Sequence, residues 1–245
     1  MPMPIRLTDE MKQIAIADFT EMLNEAEISD GFIEYSWCYE NEDADEKTNV
    51  TVWLTQEAYR KITALVQEFD CEVGWHGTAS RISEFEYLIE DIFVYPQSVT
   101  STSVNTDQAE YTNWLHGLDE GTFNNLRMHG HSHCNLGITP SGVDDKYRQG
   151  IVDQLRGEMF YIFIIWNKSL NTHAMVYDIP KNALYTTDEV EIKVQGAACL
   201  DAAFIPDAKE RVRKKTYLPS MSTVNPAFEE QLTLGYDEGG NKWRL

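Results

Sequence analysis

The chain has no long apolar run, few cysteines, and half as many basic as acidic residues. Its longest uninterrupted apolar stretch, Met159 to Trp166, is eight residues, well short of the ~20 that a membrane-spanning helix requires. No membrane association is expected. The start, MPMPIRLTDEMKQ, lacks a charged segment leading into an apolar one, so no secretory signal is expected and the cytoplasm is the expected location. The four cysteines (Cys38, Cys71, Cys134, Cys199) are scattered without a CxxC pair. That argues against a disulfide framework or a closed structural zinc site, and for small buried apolar side chains. Lys and Arg total 20 against 40 Asp and Glu, a formal charge of −20. A field of that sign repels phosphates and argues against a nucleic-acid partner. Two readings of the charge remain, solubility and attraction of a basic partner or peptide. Internal repeats and low-complexity linkers are missing too.

What is present is a globular composition, 42% hydrophobic and 11% aromatic over 245 residues, enough for one sizeable core. Apolar residues at helical spacing predict helices over 8–25, 55–69, 107–118 and 141–155, with Thr55 as an N-cap. Strands are expected at 31–39, 50–54, 71–78, 85–95, 125–133, 159–166 and 174–179, the acidic ENEDADEK loop separating the first two. Strands and helices mix without strict alternation, which points to an α/β or α+β fold: a mixed central sheet flanked by helices. Residues 1–195 read as one domain and 196–245 as a C-terminal extension. The extension carries a basic cluster, KERVRKK at Lys209 to Lys215, read either as a helical appendage on the acidic body or as a partner-docking tail.

The chemistry concentrates in Met128 to Asp145, MHGHSHCNLGITPSGVDD. Side chains at i and i+2 of a strand point to one face, about 6.6 Å apart, so two neutral imidazoles can converge on one ion. His129, His131 and His133 form such a series, whose outer members would stand about 13 Å apart on a straight strand. An adjacent pair is therefore favoured, and His131 and His133 lie nearer the loop that leads to Asp144. Two His and one carboxylate form a catalytic zinc set that leaves a coordination position open. A plainer reading coexists: the histidines as core residues, and Ser141-Gly-Val-Asp144 as a capping box. Cys134 adjoins the series as a further thiol, although alternation turns it to the opposite strand face.

His131-Ser132-His133, seven residues, Ser141, two residues and Asp144 resemble the H-[ST]-H-x7-S-x2-D signature of the JAMM/MPN+ (JAB domain) metallopeptidases, including their bacterial and phage members. The resemblance covers roughly residues 50–179. It implies an MPN/JAB-type, cytidine-deaminase-like fold. It also implies Zn2+ on His131, His133 and Asp144, with Glu72 of CEVGWHG as general base and Ser141 as oxyanion donor. Hydrolysis of a peptide or isopeptide bond, plausibly at the C-terminus of a ubiquitin-like protein or tag, would follow. His76 and Trp75 read by default as core residues, with substrate contact as the weaker alternative. The chain departs from the family where Cys134 follows the second histidine, a position often held by proline, and in the glycine spacing after Glu72. The wider family also contains non-catalytic scaffold members, and a homodimer or larger assembly is compatible with it. The HxE and PCxxC pattern of zinc nucleobase deaminases is absent.

Overall fold

The computed structural model describes residues 2–25, 36–37, 49–196 and 203–215. In chain order the elements are β1 (Met3–Pro4), α1 (Asp9–Glu25), β2 (Val50–Leu54), α2 (Gln56–Glu68), β3 (Gly74–Ser83), β4 (Glu86–Phe93), β5 (Gln97–Val99) and β6 (Val104–Asn105). There follow α3 (Gln108–His116), α4 (Glu120–Asn124), β7 (Leu126–Ser132), α5 (Gly142–Val152), β8 (Phe160–Trp166), β9 (Thr172–Asp178), β10 (Ala183–Tyr185), β11 (Val190–Val194), α6 (Phe204–Arg211) and β12 (Val212–Lys214). The strand expected at 31–39 lies, apart from residues 36 and 37, outside the described residues, as do Cys38 and Cys199.

Nine strands form one mixed sheet in the order β1-β10-β9-β8-β7-β3-β4-β2-β11. The pairs β7–β8, β4–β2 and β2–β11 are parallel; the other five pairs are antiparallel. A smaller sheet, β12-β5-β6, stands beside it. Helices cover both faces of the large sheet. On one face α2 lays Ala58, Ile62, Leu65 and Val66 into a core with Val52, Leu54, Ile89, Met128 and Ile164. Each large aliphatic side chain removed from water there contributes about 1.5–3 kcal/mol. The helix begins at Thr55, whose hydroxyl accepts from the Ala58 amide at 3.1 Å. On the other face α5 packs Ile151 and Val152 against Tyr161, Phe163, Met175 and Tyr177. Strand alternation thus divides β8 and β9 between two cores, and the continuous apolar run Met159 to Trp166 is a strand buried on both faces.

Thr8 starts α1, accepting from the Met11 amide; Met11 is buried, whereas Ile14, Ile16 and Leu23 are exposed. The described part of the last fifty residues packs onto the body. Ala208 and Val212 enter the first core, β12 pairs in parallel with β5, Lys209 pairs with Glu68, and Arg213 pairs with Glu110 at 3.3 Å. No helix among the described residues is long and apolar enough to cross a membrane.

The sheet curls so that strand β9 approaches the β3–β4 hairpin across the first core. There Asp178, fully buried, receives hydrogen bonds from Arg81 Nη2 at 2.8 Å and from the Tyr87 hydroxyl at 2.5 Å. Burying a carboxylate is costly unless its lone pairs are taken up, and these two donors are cross-strand partners on the β3–β4 hairpin, reaching the carboxylate from the other side of the core. Asp178→Asn, which keeps the shape and removes the charge, is expected to destabilise the protein by about 3 kcal/mol, read as a lower urea midpoint with an unchanged slope.

Candidate metal centre

Strand alternation builds one side of the site. In β7, Met128, Gly130 and Ser132 face the first core, so His129 and His131 face the other way, toward α5; His133 follows directly. Gly130 is required where it stands: a Cβ there would lie 2.4 Å from Nε1 of the Trp75 indole on the neighbouring strand. Ser132 ties β7 to the segment before β3, its Oγ accepting from the Val73 amide at 3.0 Å. The same alternation sends Cys71 and Val73 into the core and turns Glu72 to the opposite side, where it lines a cleft of about 670 Å³ together with His131, Ser141 and Asp144.

The N-terminus of α5 builds the other side. Ser141 caps the helix: its Oγ accepts from the Asp144 amide at 3.3 Å, and Asp144 Oδ2 accepts from the Ser141 amide at 2.7 Å. This reciprocal pair holds the carboxylate against the histidines. Asp144 Oδ1 lies 3.1 Å from His131 Nε2, Oδ2 lies 3.7 Å from His133 Nε2, and the two Nε2 atoms are 3.0 Å apart. The capping box and the ligand set, two readings of the same residues in the sequence, are one arrangement.

The chemistry of this donor set fits a cation. His133 Nδ1 donates to the Gly137 carbonyl at 2.8 Å, so a neutral His133 ring carries its lone pair on Nε2. That lone pair meets another imidazole nitrogen and a carboxylate, a convergence that repels itself unless positive charge sits between. Ligand atoms at tetrahedral positions around a zinc-sized ion stand about 3.3 Å apart, and the three separations bracket that value. His131, His133 and Asp144 are a group that can hold a metal ion, their ligand atoms all within 4.8 Å of one another.

The charge pattern agrees. Burial works to raise the Asp144 carboxyl, but the facing His131 and His133 nitrogens, which donate to it when a proton takes the place of a cation, overcome this and hold the group far below the usual carboxylate range. The Asp144 hydrogen bond raises His133 above its ordinary value despite burial. Burial pushes the Glu72 carboxyl up to about 7; the His133 charge opposes this and the Asp144 charge adds to it. A carboxyl poised near neutrality beside a donor set that can hold a cation suits proton transfer.

The remaining candidates fall elsewhere. Trp75, read by default as a core residue and only weakly as a substrate contact, is fully buried in the first core; its neighbours Gly74 and His76 face the site side, so alternation turns the indole away. His76 is on the correct face but lies beneath Tyr95, Tyr111 and Trp114 and lines a smaller cavity rather than the cleft. Burial pulls it down to about 4, a neutral imidazole hydrogen-bonded to the Tyr111 hydroxyl at 2.7 Å. His129 is buried against Tyr147 and within 3.3 Å of the Tyr95 hydroxyl. Cys134 is buried with a left-handed backbone (φ 44°), and burial pushes its thiol up to about 11. A protonated, buried thiol is a packing group here.

The sequence reading omitted the cleft wall: Tyr95, Tyr111, Tyr147 and Phe163. For Tyr147 a signal existed, since it stands one turn after Asp144 on the same helix face. Tyr95 had none; its hydroxyl lies over Gly74, where a Cβ would be only 2.1 Å away. In comparisons with known proteins, no protein-family model and no curated protein matched this chain.

Metal-free protein is expected to take up about one equivalent of a divalent cation. His131→Ala and His133→Ala should each weaken uptake at least about 100-fold, because two remaining ligands rarely hold such an ion. Protons compete for His133, whose affinity for them is raised above the ordinary imidazole value, so uptake should weaken as pH falls through the range in which that ring takes up a proton. Calorimetric titration with zinc at several pH values measures both effects.

Proposed function

We propose that this chain is a zinc-dependent hydrolase of the JAMM/MPN+ type that cleaves a peptide or isopeptide amide, with the C-terminus of a ubiquitin-like protein or tag as the expected substrate. The observation that carries the reading is that His131, His133 and Asp144 converge within 4.8 Å in a cleft that also presents Glu72 and Ser141. The motif resemblance and this convergence are independent, because nothing in residue spacing alone requires the strand end and the helix start to meet. A curled mixed sheet with helices on both faces supports an MPN/JAB-type, cytidine-deaminase-like arrangement. Two imidazoles and one carboxylate suit zinc better than the harder, oxygen-seeking cations.

His131, His133 and Asp144 would hold the ion. Zinc, when bound, supplies Lewis acidity, which polarises a carbonyl and makes water acidic near neutral pH. Glu72, ionised, accepts the proton of the attacking water and passes it to the leaving nitrogen. Ser141 supplies a hydrogen bond to the carbonyl oxygen as negative charge builds there. Its role as N-cap uses only the oxygen as acceptor, which leaves the hydroxyl proton available. The tyrosine-rich wall gives the substrate chain an apolar surface with polar tips. The non-catalytic scaffold reading has less support, since a scaffold has no need of an ionisable Glu72 in an open cleft.

Glu72→Gln should abolish cleavage of a ubiquitin-like fusion while zinc stays bound. Ser141→Ala should lower kcat by about 10²-fold, with a small loss of stability from the weakened cap. Activity should rise with pH as Glu72 loses its proton, with an inflection at or below about 7 because a bound cation favours the ionised form. Full activity in Glu72→Gln would remove that residue as the base, and absence of cleavage in zinc-loaded wild type across peptide and isopeptide substrates would leave the scaffold reading.

A further inference from the structure

The smaller cavity, about 150 Å³, lies on the same sheet face as the metal centre, between α3, α4 and the C-terminal half of α5. Its body is apolar, with Leu115, Phe123, Ile151 and Leu155 among the lining residues. A void of about this size with such a lining holds a benzene-sized ring. Polar groups interrupt it, His76, Tyr111, Asn124 and Gln154 among them, and two others stand side by side. Arg127 stands one position before the Met128–Ile162 register pair of β7 and β8, which sets it beside Tyr161. Both residues line the cavity.

Neither has a partner. Among the described residues the Arg127 guanidinium makes no ion pair or hydrogen bond, and the hydroxyl of Tyr161, a side chain only 4% exposed, makes no hydrogen bond. Burial pulls the Arg127 guanidinium below its ordinary value, with only the neighbouring Tyr161 opposing. Several other half-buried cations among the described residues are matched: Arg81 with Asp178, Lys61 with Glu57 and Asp91, and Arg148 with Asp145. A half-buried cation and a phenol hydroxyl without protein partners, side by side on one largely apolar pocket, are donors that a ligand can take up.

We propose that this cavity is a binding site for a carboxylate carried on a ring-sized apolar body, with Arg127 and the Tyr161 hydroxyl receiving the carboxylate and the apolar walls receiving the body. Arg127 offers paired donors in the planar geometry a carboxylate accepts, and Tyr161 adds a third. The ligand is either a free aromatic acid or the C-terminal residue of a peptide, which share this chemistry. The site is separate from the metal ligands and does not depend on the proposed hydrolase activity. Tyr111 alone of the aromatic wall lines both cavities.

The test uses the full chain, metal-free and zinc-loaded, with benzoate, its neutral analogue benzyl alcohol, and acetyl-glycyl-phenylalanine as free acid and as amide. Benzoate at millimolar concentration should raise the melting temperature of wild type by about 1–4 °C, equally with and without zinc, and benzyl alcohol should do so far less. Arg127→Met should weaken benzoate binding at least about tenfold while the ligand-free protein melts no lower than wild type, since it removes a half-buried charge that has no protein partner among the described residues. Tyr161→Phe should weaken binding by a smaller factor with the fold intact. Binding of the free-acid peptide but not its amide would assign the site to chain termini, and binding of benzoate alone would assign it to small acids. Benzoate binding that survives Arg127→Met, or that appears only with zinc, would overturn the proposal, as would no benzoate effect on wild type.

Discussion

The two hydrogen bonds between Ser141 and Asp144 hold the candidate centre together. They start α5, and they fix where a carboxylate sits relative to the end of β7. Asp144 divides its two oxygens: Oδ2 takes the Ser141 amide and Oδ1 lies beside His131. A helix N-terminus welcomes negative charge in its first turn, so the carboxylate is stabilised there before any cation arrives. Moving Asp144 by one residue would rotate it about 100° around the helix, away from both imidazoles. The helix cap and the donor set therefore stand or fall together.

Around that pair the fold supplies rigid supports on each side. The histidines sit at the end of a central strand flanked by β3 and β8, and the His133 ring is turned by the Gly137 carbonyl. Glu72 is held on the segment before β3, whose amide bonds the Thr100 carbonyl. The Gln97 side chain then bonds both the amide and the carbonyl of Gly74 at 2.8 Å. The segment before β3, the end of β7 and the start of α5 thus present their polar groups at one end of the central strands, where strand backbones stop and side chains can turn toward solvent. Placement on strand ends and a helix start, rather than on long loops, keeps the donor atoms within tenths of an ångström of useful positions.

The two helical layers carry different burdens. The α2 face is a closed apolar core with one buried ionic device, Asp178 with Arg81 and Tyr87. The α5 face contains the cleft, the smaller cavity, four aromatic walls and the titratable groups with the largest displacements. Stability is concentrated on one side of the sheet and polar chemistry on the other, with β7 as the shared partition. Its alternation of histidines with Gly130 and Ser132 is this division written in sequence.

Several features were legible without coordinates. Local periodicity and capping residues determined α2, β2, α3, β7, α5 and β8 within a few residues, because each depends on neighbours in the chain. His131, His133 and Asp144 were named from strand alternation and the motif, but the meeting of the strand end with the helix start was decided by the fold. The strands β5, β6, β10 and β12, of two or three residues, carry no period to detect. Trp75 and His76 looked equivalent as flanking residues; the pairing of β3 with β7 set one against Gly130 in the core and the other beneath tyrosines. The cleft wall, the poised Glu72 carboxyl and the unmatched Arg127 came from packing alone. Chain-local patterns fix which way a side chain points, but what it meets there depends on segments brought close only by folding.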